Sequence, residues 1–155
     1  MKFEEFVCFE ATIPQLQATD RDGVITELVA ALVAAGKIPA ESGKDVTKAV
    51  IKRENEASTG MGKGVAVPHV KHSAVKTVVG AVGYSAGGID FASLDEQPVY
   101  SVILLLSSPD NPDEHLQAME AIFKHVQRDI FRKFLRQSET REAIQDSIQE
   151  ADELG

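Results

Sequence analysis

Apolar positions follow two different periods along this chain, and the switch between them outlines the fold. In TDRDGVITELVAALVAAGK (residues 19–37), Val24, Leu28, Ala31, Leu32 and Ala35 recur at three- and four-residue steps. Gly36 then offers a stop, so the pattern predicts a helix. GKDVTKAVIKRE (43–54) predicts a second helix with Val46, Ala49 and Val50 on its apolar stripe, but the position seven after Val46 is Arg53. Further on, KTVVGAVGYS (76–85) and PVYSVILLLSS (98–108) are rich in β-branched residues and read as strands. The first places Val78, Gly80, Val82 and Tyr84 on one face, while the second is apolar throughout from Val102 to Leu106, as expected of a strand covered on both faces.

The short run GVAV before Pro68 reads as another strand, whose ladder the proline ends by removing an N–H donor. After the strands, Asn111 is placed to cap a helix with Pro112 at its first position and Leu116, Met119, Phe123 and Val126 facing inward. A last helix is expected from a Ser138 cap through Ile144 and Ile148, with the acidic tail EADELG frayed. Helices, then strands, then helices predict an α/β fold: a mixed central sheet, parallel and antiparallel, flanked by helices on both faces. No repeat, low-complexity tract or linker divides the chain, so residues 1–155 are expected to form a single domain.

Composition narrows the function classes. A formal charge of −8 over 155 residues argues against a nucleic-acid backbone or an anionic membrane as principal partner. No apolar run approaches twenty residues, so no membrane insertion is expected. MKFEEFVCFE carries three acids where a secretory signal would be basic and then apolar, so a cytoplasmic location is expected. Cys8 is the single cysteine; it excludes an internal disulfide and receives no role.

The chemistry concentrates in TGMGKGVAVPHVKH (59–72). His69 falls at the end of a strand, where open α/β sheets form binding crevices, although a histidine there can equally cap a loop. Gly60, Gly62 and Gly64 permit tight turns and expose N–H groups suited to an anion, or act only as a hinge. The segment lacks the dinucleotide fingerprint, and its GKG has no Ser or Thr after the lysine to hold magnesium, which excludes a triphosphate site. Arg53, on an apolar stripe, must snorkel, complement the helix dipole or meet an anion. His115 lies in the first turn of its helix, where free N–H groups favour an anion, or stands as an ordinary surface histidine. One arginine, two histidines, the hydroxyls of Ser58 and Thr59 and a glycine-rich backbone together compose a site for a phosphoryl group, which a neutral imidazole can accept and release. No cofactor is called for. A metal site built from His69, His72, His115 and His125 competes weakly, because no cysteine or acid accompanies them at ligand spacing.

RENEASTGMGKGVAVPH resembles the signature of the type-2 enzyme IIA domains of the bacterial phosphotransferase system, the fructose, mannitol and nitrogen-regulatory class. The resemblance continues through GGIDFASLDEQPVYSVILLLSSPDNPDEHLQAMEAI, is strongest from Val46 to Leu135, and is faint before Thr19. It implies a mixed sheet between helices and a phosphocarrier whose phosphorylated histidine, the one after Ala-Val-Pro, is His69. His115 of the His-Leu pair and Arg53 of the Arg-Glu pair would then hold the phosphoryl group. The implied donor is HPr or its nitrogen-branch counterpart. Met61 stands where the family usually has isoleucine, and His72 lies in a stretch the family does not fix, so His72 receives no catalytic role.

Two uses of such a phosphohistidine follow. One is transfer to a IIB domain in sugar uptake; the other is a regulatory switch acting on target proteins, through an added charge of about −1.5 to −2. No IIB or IIC domain is attached within these residues, which tilts the expectation toward regulation.

Overall fold

The structure, a computed structural model, describes residues 1–155. Helices α1 (Arg21–Ala34) and α2 (Gly43–Glu56) precede strands β1 (Gly60–Gly62), β2 (Val65–Ala66), β3 (His69–Lys71), β4 (Val79–Ile89) and β5 (Val99–Ser107). Helices α3 (Pro112–Val126), α4 (Asp129–Gln137) and α5 (Arg141–Leu154) complete the chain. The expected α/β class and mixed sheet are observed.

β5 organises the sheet. It runs antiparallel to β4 on one side, and parallel to both β2 and β3 on the other. Pro68 divides β2 from β3 without ending the alignment. Its carbonyl accepts the Leu105 N–H, and His69 resumes the ladder opposite Leu105. His69 therefore opens a short strand instead of following the end of one. Before α1, two short 3-10 turns, Phe3–Glu5 and Phe9–Ala11, carry the chain past β4, where Val7 and Ile13 form isolated parallel bridges with Gly80 and Gly83.

The two-residue period of the strands sorts the interior into two layers. Val79, Ala81, Val102, Leu104 and Leu106 face α1 and α2 and pack with Val24, Leu28, Leu32, Val46 and Val50. Val78, Val82, Ile103 and Leu105 face the other way and pack with Phe3, Ala118, Ile122, Phe131, Leu135, Ile144 and Ile148. Residues 102–106 of β5 are all fully buried, as their unbroken apolar run predicts.

Helix boundaries follow local chemistry. Asp20 accepts the Gly23 N–H to start α1, and Gly36, in the left-handed region at φ 77°, follows its end. Asn111 caps α3 by accepting the Glu114 N–H, with Pro112 next, as expected. Three expectations are corrected. Leu116 is 58% exposed; the inward stripe of α3 runs instead through Ala118, Ile122 and Val126, with Met119 and Phe123 partly buried beside it. Thr140, not Ser138, caps α5: Thr140 accepts the Ala143 N–H, whereas the Ser138 hydroxyl donates back to the Phe134 carbonyl at the end of α4.

The tail is also ordered as helix to Leu154, because Asp152 is anchored. Its carboxylate accepts the backbone N–H groups of Phe3 and Glu4 and the Nε2–H of His125, at 2.9, 2.8 and 3.1 Å. The Asp152 and His125 side chains are 3% and 4% exposed. The residues between the Asn111-capped helix and the last one, left without an assignment by the sequence pattern, form α4.

Candidate functional site

α2 delivers two adjacent charged residues to the site. Val46 and Val50 are fully buried on its inner stripe, and the next position at helical spacing is Glu54, which is 2% exposed. Its carboxylate accepts both the backbone N–H and the hydroxyl of Thr59, closing the chain where it leaves the helix. Arg53, half-buried beside it, donates from Nη1 to the Ala57 carbonyl at 2.9 Å. The pair thus fixes one loop from both sides, the cation on a carbonyl and the carboxylate on an N–H and an O–H.

That loop positions β2 and then His69. The Thr59 carbonyl accepts the Val67 N–H, and the Val67 carbonyl lies 2.8 Å from His69 Nδ1. A carbonyl can only accept, so Nδ1 carries the proton and Nε2 of the neutral ring keeps its lone pair. Burial is the main force holding the His69 pKa below the ordinary 6.5; the Arg53 and Lys71 cations push the same way, against the Val67 carbonyl and the Glu54 carboxylate. At neutral pH, His69 is an uncharged imidazole with one nitrogen tied to the backbone and the other free.

His115 faces it from the first turn of α3, with the two ring centroids 5.7 Å apart. Its Nδ1 is hydrogen-bonded to the Ser107 hydroxyl at the buried end of β5. Burial again lowers the pKa, with His69 and Lys71 contributing next. Lys71 lies two residues along β3 from His69, hence on the same strand face. Its charge reaches both imidazoles.

The remaining predicted residues are placed as follows. The Ser58 hydroxyl donates to the Phe91 carbonyl and accepts the Gly60 N–H, and the Thr59 hydroxyl is engaged by Glu54. Gly60 packs so closely on Ser93 that a Cβ there would lie 2.3 Å from its hydroxyl oxygen. Gly62 and Gly64 flank the β1–β2 turn with φ of 88° and 83°, at the end of β2 away from Pro68 and His69. The structure thus sets His69 against His115 at one end of the sheet, with the Arg53 charge acting on His69, and puts Gly62 and Gly64 toward the other. The four histidines do not converge: His72 bonds Asp45 at 2.6 Å and His125 bonds Asp152, and no three His, Cys, Asp or Glu side chains are grouped to hold a metal ion.

Glu54, Ser107 and Lys71 are the site residues that the sequence reading missed. Glu54 was legible as the residue four after Val50, and Ser107 as a hydroxyl ending an otherwise apolar strand. No helix is long and apolar enough to cross a membrane.

Residues 7–151 match the family described as "Phosphoenolpyruvate-dependent sugar phosphotransferase system, EIIA 2". A fructose-specific EIIABC component of Bacillus subtilis is 32% identical over 98% of this chain; the chain spans only 24% of that protein's length. A nitrogen regulatory protein of Bradyrhizobium diazoefficiens is 31% identical over 93% of this chain and 92% of its own. Among solved structures, nitrogen regulatory protein IIA-Ntr from Neisseria meningitidis superposes with a TM-score of 0.83 at 24% identity, covering 94% of this chain and 97% of that one.

Proposed function

This chain belongs to the EIIA 2 family of the phosphoenolpyruvate-dependent sugar phosphotransferase system, and from that premise we propose that it is a phosphocarrier whose acceptor atom is Nε2 of His69. The observation that carries the reading is the hydrogen bond from Nδ1 to the Val67 carbonyl. It fixes the tautomer and turns the nucleophilic nitrogen away from the backbone. A donor of the HPr type brings a phosphohistidine; its N–P bond breaks as the bond to Nε2 forms. No proton is exchanged at Nε2, and the positive charge that develops on the ring is stabilised through Nδ1–H on the carbonyl. Onward transfer to a IIB-type acceptor reverses the step.

His115 and Arg53 hold the phosphoryl oxygens. With the Ser107 hydroxyl donating to Nδ1, His115 carries its proton on Nε2 and donates it to an equatorial oxygen, while the Arg53 guanidinium supplies charge. Ser58, Thr59, Gly60, Gly62 and Gly64 shape the loop and hairpin that aim His69, because their hydroxyls and turns are already engaged within the fold. A regulatory use rests on the same phosphohistidine, read out by target proteins as added negative charge. The test is labelling with phosphoenolpyruvate, enzyme I and HPr. Wild type is expected to take up one acid-labile phosphoryl group per chain and His69→Ala none. Label persisting in His69→Ala sinks the assignment.

A further inference from the structure

The chain is acidic on balance, yet one cleft is not. Lys63 from the β1–β2 turn and Arg132, Lys133 and Arg136 from α4 surround a cavity of about 500 Å³, with Tyr84 and Asp129 completing most of its wall. In a chain of net charge −8, four cations meeting a single carboxylate form a local reversal of sign.

Two of the cations are held in place. The Arg136 guanidinium lies 4.1 Å from the centroid of the Tyr100 ring, and Arg132, 9% exposed, donates to the Val126 carbonyl and to Asp129. Lys63, Lys133 and Arg136 have no carboxylate within 4.0 Å. Lys63 also has a left-handed backbone, φ 59°, a region that glycine or asparagine enters more readily than lysine. Asp95 anchors its N–H at 2.9 Å. A conformational cost is thus accepted at a turn whose side chain delivers charge to the cleft.

The cleft is separate from the His69 site. Val65 and Tyr84 both stand level with Ser101 on β5, whereas His69 stands level with Leu105. Four residues of strand separate the two by about 13 Å. A concave space of this size suits a small molecule, and cationic walls with a phenol select for anionic oxygen.

We propose that this cleft is a second anion site, taking a small molecule that carries a phosphate or diphosphate group. Pyrophosphate is the probe, titrated into the full chain carrying His69→Ala so that the phosphoryl site does not contribute, and followed by calorimetry and amide chemical shifts. Saturable one-to-one binding is expected, with shifts at Lys63, Tyr84 and α4. Adding Lys63→Asn is expected to weaken binding about tenfold or more while leaving the melting temperature equal or higher, since asparagine suits the turn. Arg136→Gln is expected to weaken binding comparably. No saturation at millimolar pyrophosphate, shifts centred on His115 and Arg53, or unchanged affinity in both variants would each overturn the proposal. Binding of an oligoglutamate peptide without binding of pyrophosphate would also overturn it, and would identify the cleft as a protein contact.

Discussion

His69 and His125 both sit in surroundings that lower their pKa chiefly by desolvation, yet only one is left free to react. His125 donates from Nε2 to Asp152 and packs in a cluster of three rings with Phe3 and Phe131, at centroid distances of 6.0 and 5.8 Å. Its Nδ1 is buried without a partner, so the ring is sealed into the core with a lone pair nothing can reach. His69 donates a hydrogen bond from Nδ1–H to a backbone carbonyl and faces a second imidazole across a half-buried site. Desolvation makes an imidazole neutral; the position of its bound proton decides whether neutrality becomes chemistry. The lesson is that burial, pKa direction and hydrogen bonding at a histidine must be read together.

The sharpest way to break the contrast is to exchange the two fates by mutation. His69→Ala is expected to lose all phosphoryl uptake while keeping its circular dichroism spectrum and urea midpoint close to wild type. His125→Ala is expected to accept phosphoryl normally and to be destabilised, because it leaves a cavity and removes one of the three hydrogen bonds that hold the buried Asp152 carboxylate. Equal labelling of both variants would erase the distinction.

Next in size are the groups around the phosphoryl oxygens. His115→Ala and Arg53→Gln are each expected to slow transfer roughly a hundredfold, as for loss of a preorganised donor, while the final extent of labelling is kept. Quench-flow with phosphorylated HPr measures both quantities. Unchanged rates in both variants would remove these residues from the mechanism.

On the structural side, Asp152→Ala strands the N–H groups of Phe3 and Glu4 and of His125, and is expected to cost about 2–4 kcal/mol in urea denaturation with little change in transfer rate. A normal urea midpoint would show that the tail does not hold the amino terminus.

The smallest effect is that of pH. All three lowered histidines stay neutral in the fold below 6.5, where the unfolded chain already binds protons. Stability is therefore complete above that pH and declines as pH falls through it toward the folded values. Transfer to His69 is expected to fall off at a lower pH than an ordinary histidine would allow, because burial holds its ring neutral below the usual value. A rate that halves at pH 6.5 would place His69 at the ordinary value.

Much of this arrangement was legible in the sequence because periodicity and turn chemistry are local. The buried run of β5, the Asp20 and Asn111 starts, Gly36, and His69 beside Pro68 all follow from neighbouring residues. What escaped depends on distance in the chain. α4 hid because Ile130, Phe131, Phe134 and Leu135 are apolar on both sides of the helix, which blurs a single inward stripe; Ile130 and Phe134 are 55% and 45% exposed. Thr140 outcompeted Ser138 because the Ser138 hydroxyl has a carbonyl partner behind it. The tail stays helical through contacts to residues some 150 positions earlier. At the site, Arg53 was visible as an anomaly on a stripe, but Glu54 was overshadowed by it, and the Ser107 contact with His115 exists only once β5 and α3 are set side by side.

The central claim concerns one nitrogen atom. Proton–nitrogen correlation across the phosphorylated imidazole, together with phosphorus NMR, reports which ring nitrogen of His69 carries the phosphoryl group. The hydrogen bond from Nδ1 to Val67 predicts phosphorylation at Nε2 with the Nδ1 proton retained. Phosphate on Nδ1, or on any other histidine, would contradict it.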